Sequence, residues 1–140
     1  MLMSVLVSVS IIALLSMISI PYLRQYQANL KINSVSRNLT SDIRYAQQLT
    51  ITEQVVYKVL LDTIEHKYEI MKTGAATSTI KSISFPPEVR FNQIDAALNN
   101  EIVFNSFGGV SQSGQIILIN SDGKTAIINV KPSGYIQLAQ

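Results

Sequence analysis

Gly123-Lys124-Thr125 is the stretch of this sequence closest to a phosphate-binding signature, because a P-loop ends in Gly-Lys-Ser/Thr and holds its anion with loop backbone. The glycine such a loop requires at position 118 is a leucine, Leu118. The residues after Thr125 read as a strand, so no helix N-terminus would face an anion. His66 is the one histidine and lies in IEHKYE between two expected strands, with no cysteine or second histidine to share a metal. It reads as an exposed turn residue. Glu65, His66 and Glu69 do not make an HExxH pattern, and strand spacing sends them to different faces. Serines are many, but the G-x-S-x-G elbow is absent and a lone turn histidine cannot complete a triad. The sequence therefore offers no catalytic, cofactor-binding or metal residues, and it reads as a non-enzyme that needs no cofactor.

The elements that would position any site begin with residues 1–20, MLMSVLVSVSIIALLSMISI, which contain no charge, proline or glycine and end at Pro21. A helix over this stretch would be about 30 Å long, near the hydrocarbon thickness of a bilayer. Ser4, Ser8, Ser10, Ser16 and Ser19 dilute the apolar character, but serine hydroxyls back-bond within helices and small residues let helices approach closely. Residues 1–21 are thus expected to be a transmembrane helix. A cleaved secretory signal is the alternative; against it, the run lacks a basic leading region, exceeds the usual 7–15-residue apolar core and flows into more helix. Arg24 and Lys31 follow the span and nothing basic precedes it, which taken literally would leave the remainder in the cytoplasm.

With 140 residues the chain has room for one small domain beyond the anchor. The net charge of +2 does not argue for nucleic acid. The absence of cysteine removes disulfide frameworks and thiol metal sites.

Beyond Pro21, which should kink the helix or mark its emergence, Ala28, Ile32, Val35, Leu39, Ile43, Ala46 and Thr50 recur at helical spacing and form one stripe. Residues 22–54 are expected to continue the helix. Ile32, Val35, Leu39, Ile43 and Ala46 are assigned to packing on the chain's own sheet, with Arg37 and Arg44 on the opposite, solvated side. Leu23, Tyr26 and Leu30 form a second patch with no obvious partner in the chain and are assigned to contacts with another subunit.

After Glu53 the period becomes that of strands, and residues 55–140 are expected to form an antiparallel β domain. Strands are expected at 55–62, 67–72, 80–85, 88–92, 101–105, 115–120, 124–131 and 134–138. Asp122-Gly123 predicts a type I′ hairpin, which needs positive φ at both positions. Pro86-Pro87 confines its neighbours to sheet edges, while 74–79 and 107–114 are uncharged small-residue loops. The fold class is α+β: a long N-terminal helix packed on a C-terminal antiparallel sheet.

This order of elements resembles the type IV pilin-like proteins, and more narrowly the H-type minor pseudopilins of type II secretion and their FimT-like pilus relatives. The residues that carry the likeness are the anchor ending in Ile20-Pro21; Leu39, Asp42, Ile43, Arg44, Tyr45 and Ala46, then Ile51 and Val55; PPEV at 86–89; IVFNSFGGVSQSGQIIL at 102–118; and NVKPSGYIQL at 129–138. The resemblance implies a structural minor subunit of a type II secretion pseudopilus or type IV pilus, assembling with other pilins or pseudopilins through its N-terminal helix. It further implies a prepilin peptidase as processing partner, a methylated processed N-terminus, and an inner-membrane anchor with the soluble domain outside the cytoplasm. Prepilins of the family begin with a basic leader followed by F-T-L-[IL]-E, which does not precede Met1. If Met1-Leu2-Met3 lies just after that glutamate, an upstream leader would reverse the literal orientation.

Two alternatives keep parts of this picture: a minor pilin of a DNA-uptake machine, and an unrelated membrane-anchored β binding domain. Against DNA, Lys58, Lys67, Lys72, Lys81, Arg90, Lys124 and Lys131 are dispersed among acids. The arginine the family often places after the glycine of its last motif is here Tyr135, following Gly134. No strong nucleic-acid binding is expected.

Overall fold

The structure, a computed structural model, describes residues 2–74 and 76–139, without the side chains of residues 18–21 and 24. One helix, α1 (Leu2–Glu53), takes up the first third of the chain. Its backbone is helical through Pro21; the side chains of Pro21 and Arg24, to which the sequence assigns a kink and a boundary charge, lie outside the described residues. In its N-terminal part, the hydroxyls of Ser8, Ser10 and Ser16 each donate to the carbonyl four residues back, at 2.8 Å. These serines satisfy their polarity within the helix. Gln54 ends α1: its φ of 55° is left-handed, and its side-chain amide donates to the Ile51 carbonyl at 2.7 Å.

Eight strands follow: β1 (Tyr57–Asp62), β2 (Lys67–Lys72), β3 (Ser78–Ser84), β4 (Val89–Ile94), β5 (Glu101–Val103), β6 (Gly114–Asn120), β7 (Thr125–Val130) and β8 (Ile136–Ala139), with a short 3-10 turn at Ala96–Leu98. They form two four-stranded sheets rather than one, ordered β3-β2-β1-β5 and β4-β6-β7-β8, with every pairing antiparallel. The Pro86-Pro87 bend is where the chain leaves one sheet for the other, and the strands on either side, β3 and β4, both lie at sheet edges. Proline cannot donate to a ladder, so this is where the chain can change sheets without losing a bond.

The hairpin at Asp122-Gly123 connects β6 to β7, but it is not type I′. Gly123 has a φ of 83°, whereas Asp122 is not among the positive-φ residues. The Gly123 amide donates to the Asn120 carbonyl and the Asn120 amide to that of Lys124, the pattern of a type I turn closed by one left-handed residue. The Asn120 side chain explains the preference: its Oδ1 accepts from the amides of Asp122 and Lys124 at 3.0 and 2.8 Å. The β7–β8 turn repeats the arrangement around Gly134, with a φ of 78°.

The core lies between α1 and the sheets. Ile32, Leu39, Ile43 and Ala46 are fully buried against Tyr57, Val59, Ile70, Ile102, Phe104, Ile116, Leu118 and Ile128. Val35 is partly buried against the same cluster, and Ala28 and Thr50 close the stripe at its two ends.

Candidate functional site

The exposed length of α1 is the feature of this molecule that most needs a partner. Among the described residues Ala28 is the first buried one of the helix, and at 1.5 Å per residue the 26 residues before it span about 39 Å. Along that length Leu2, Val5, Leu6, Val9, Ile12, Leu14, Leu15 and Met17 are all exposed. A single helix with apolar side chains on all its faces is stable only where other helices or lipid cover it. Among the described residues, no helix is long and apolar enough to cross a membrane.

Closer to the domain, Leu23, Tyr26 and Leu30 are exposed, with Leu30 at 49 %, and Tyr22 joins them at 80 %. They lie on the side of α1 turned away from the sheets. Ile32, Leu39, Ile43 and Ala46 occupy the opposite, buried side, and Val35 sits at its margin. One helix thus presents its lower stripe to its own domain and its upper patch to solvent.

Polar contacts that the periodic pattern did not reveal fasten this helix to the sheets. Lys31 pairs with Glu88 at 2.5 Å, and Asn29 accepts from the Asn120 side-chain amide at 3.1 Å. Both contacts lie near the point where α1 leaves the domain. The Lys31 ammonium holds the Glu88 carboxyl below the usual carboxylate range. Midway along the packed half, the buried Asp42 accepts from the Tyr68 hydroxyl at 2.6 Å and from Lys81 at 2.7 and 2.8 Å. Burial, and then the Asp42 carboxylate, push the Tyr68 hydroxyl far above its ordinary value. At the far end Gln47 donates to the carbonyls of Gly108 and Gly134 at 2.7 and 3.1 Å. Arg44 is exposed but is not merely solvated: its Nη2 donates to the Ile136 carbonyl of β8 at 2.8 Å.

The residues first considered for chemistry are dispersed. Gly123-Lys124-Thr125 forms a turn and the start of β7, with no helix behind it. His66 is less exposed than a simple turn residue: its φ is 48°, its ring lies 6.5 Å from that of Phe91, and its Nδ1 is buried without a hydrogen-bond partner among the described residues. Glu65 and Glu69 both pair with Lys67, at 2.6 and 3.4 Å. Among the described residues no group of three or more side chains could hold a metal ion.

A long helix whose outer half is bare and whose inner half packs on antiparallel sheets is the type IV pilin-like architecture. In particular, the chain is similar to the type IV minor pilin FimU of Pseudomonas aeruginosa, with a TM-score of 0.66 at 14 % identity over 80 % of this chain and 90 % of that one. It is also similar to the minor pseudopilin EpsH from the type 2 secretion system of Vibrio cholerae, with a TM-score of 0.65 at 9 % identity over 78 % of this chain and 96 % of that one. At such identities the likeness is one of fold. No protein-family model matches the sequence, and no curated protein matches it.

Proposed function

We propose that the chain is a structural minor subunit of a type II secretion pseudopilus or a type IV pilus. The observation that carries this reading is the length of α1 that projects bare and apolar from the domain, while the same helix inside the domain buries one stripe of side chains in the core. Residues 1–21 act as the membrane anchor before assembly and as the helix that packs among neighbouring subunits after it. Residues 22–54 carry the assembly patch Leu23, Tyr26 and Leu30, and residues 55–140 form the β domain on the outer side of the cytoplasmic membrane. The serines of the anchor suit both settings, because each described hydroxyl that back-bonds leaves little polarity for lipid or a neighbouring helix to satisfy. Processing by a prepilin peptidase and methylation of the new N-terminus belong to the same reading. So does a role without catalysis.

Cysteine chemistry gives a clean test, since the sequence has no cysteine of its own. Single cysteines at Leu23, Tyr26 and Leu30 should cross-link to other pilin-like subunits in cells that assemble the filament, whereas cysteines at the exposed sheet positions Thr79 and Arg90 should not. Equal cross-linking at both sets, or release of the full chain from membranes by alkaline carbonate, would overturn the reading. Cross-linking partners that belong to the secretion machinery rather than a pilus would decide between the two filaments.

A further inference from the structure

Among the described residues of the β domain, Phe107 is the most exposed large apolar side chain, at 95 %, and the loop that carries it is fastened. The Asn105 side chain accepts from the backbone amides of Phe107 and Gly109 at 3.0 and 2.9 Å, the Gly108 amide donates to the Asn105 carbonyl at 2.8 Å, and Gln47 of α1 holds the Gly108 carbonyl at 2.7 Å. Elsewhere on the domain, α1 and the end of β3 enclose a notch of about 240 Å³. Val35, Ile83 and Phe85 line it, each only partly buried by the chain's own core, and the exposed Ser34, Asn38 and Ser84 complete the lining. We propose that Phe107 of one subunit seats in this notch on a second copy of the chain, an inference that rests on the filament reading given above.

The two features match in size and chemistry. An apolar cavity of about 150 Å³ takes up a benzene molecule, so the notch has room for a phenyl ring. A ring already held in place loses little freedom on binding, and aromatic anchors in apolar pockets carry much of the energy of interfaces. No charged residue occurs between Glu101 and Asp122, so the Phe107 loop brings no charge to the contact.

Position decides the kind of contact. Gln47, which holds the Phe107 loop, and Asn38, in the notch, are nine residues apart on α1, or about 2.5 turns, which sets them on opposite sides of the helix. Surfaces on opposite sides of one molecule pair head to tail and build an open filament, whereas a two-fold dimer uses one patch twice. From Gln47 back to residues 31–38 is about 14–24 Å along the helix, so with parallel helices the copy that receives Phe107 stands outward by that distance. Two copies inserted in one bilayer stand level, which puts the contact out of reach. Its area sets a second condition. A phenylalanine offers roughly 150–250 Å², against about 800 Å² per partner in a stable interface. The contact therefore forms only among subunits that their helices already hold close together.

The test produces two differently tagged full-length copies together, one with Ser106→Cys beside the intact Phe107 and one with Ser84→Cys, in cells that assemble the filament, and adds a thiol oxidant. A disulfide should join the two tags wherever Leu30→Cys cross-links to a neighbour, and should be missing from membranes in which assembly is blocked. Replacing Ser84→Cys by Thr125→Cys, exposed on the other sheet, should remove it. Phe107→Ala on the Ser106→Cys copy should lower its yield about tenfold or more while leaving the unfolding midpoint unchanged, and Asn38→Trp on the Ser84→Cys copy should do the same by filling the notch. Because the contact runs head to tail, the same two substitutions exchanged between the copies should leave the yield as it was. A disulfide indifferent to Phe107, one formed equally with Thr125→Cys or in unassembled membranes, or linkage of Ser106→Cys to a different pilin-like subunit in its place would overturn the proposal. If Leu30→Cys cross-links and the tags stay apart, this contact alone fails; if neither forms, the filament reading fails and the contact with it.

Discussion

Asp42 occupies the buried side of α1 because Tyr68 and Lys81 replace the water that its carboxylate gives up. Removing the hydroxyl alone, as in Tyr68→Phe, deletes one charge-assisted hydrogen bond and leaves the ring packed. The expected cost is roughly 1.5–3 kcal/mol in urea unfolding; a loss below about 0.5 kcal/mol would mean that the bond is not formed. The glycines give a sharper comparison. Gly123 and Gly134 share a left-handed φ, but a side chain at Gly123 would meet open space, whereas one at Gly134 would come within 2.0 Å of the Gly108 carbonyl oxygen. Gly123→Ala should cost only the backbone penalty of about 1–2 kcal/mol. Gly134→Ala should cost distinctly more and loosen the loop around Gly108, read as faster amide exchange there. Equal losses for the two variants would contradict the close approach of the loops. Glu53 sets part of the response to acid. It accepts from Lys72 and Tyr57, both at 2.6 Å, and these bonds, Lys72 first, hold its carboxyl below the ordinary 4.5. A depressed folded value means that the contribution is complete above the unfolded value and is lost as pH falls through the folded one. Stability should therefore decline as pH drops below about 4.5, and Glu53→Gln should make that decline shallower.

The elements divide the work of α1, and leucines on its two sides test the division. Leu39 is fully buried whereas Leu30 is half exposed, so Leu39→Ala should cost about 2–5 kcal/mol. Leu30→Ala should leave unfolding nearly unchanged and weaken assembly instead. A chain without residues 1–27 should remain folded and monomeric, since among the described residues burial begins at Ala28; aggregation of that fragment, or equal destabilisation by the two substitutions, would refute the division. The helix stripe was legible in the sequence because helical spacing survives wherever one face meets a single partner, and Ile32, Leu39, Ile43 and Ala46 all meet the core. Strand positions followed from alternation, but the split into two sheets did not, because alternation records which side of a strand is buried and not which strand lies beside it. The β6–β7 turn was misread because Asp-Gly suits two turn types, and the choice lay with the Asn120 side chain before it. Asp42, Arg44 and Gln47 escaped the pattern for a related reason. Their partners Lys81, Ile136, Gly108 and Gly134 are distant in sequence, and no local spacing encodes a contact of that kind.

At the scale of the whole molecule, charge pairing decides what the domain can attract. DNA affinity comes mainly from Lys and Arg groups that neutralise phosphates, with planar side chains adding stacking on single strands. Most lysines are already committed: Lys31 to Glu88, Lys58 to Glu101, Lys67 to Glu65 and Glu69, Lys72 to Glu53, and Lys81 to Asp42. Arg44 is turned onto a backbone carbonyl, and Lys131 lies over the Tyr135 ring at 5.5 Å. The cations that remain among the described residues, Arg37, Arg90 and Lys124, sit on α1, on β4 and in the β6–β7 turn. Three charges on three elements offer no track for a phosphate backbone, and recruiting the paired lysines would mean breaking their ion pairs first. The β domain should therefore bind DNA only as weakly as non-specific proteins do, with a Kd of roughly 10⁻⁴ to 10⁻⁶ M at physiological salt. Fluorescence anisotropy with single- and double-stranded oligonucleotides measures this directly. A submicromolar Kd that falls away steeply with added salt would show that several phosphates are neutralised at once, and would favour a subunit of a DNA-uptake machine over one of a secretion filament.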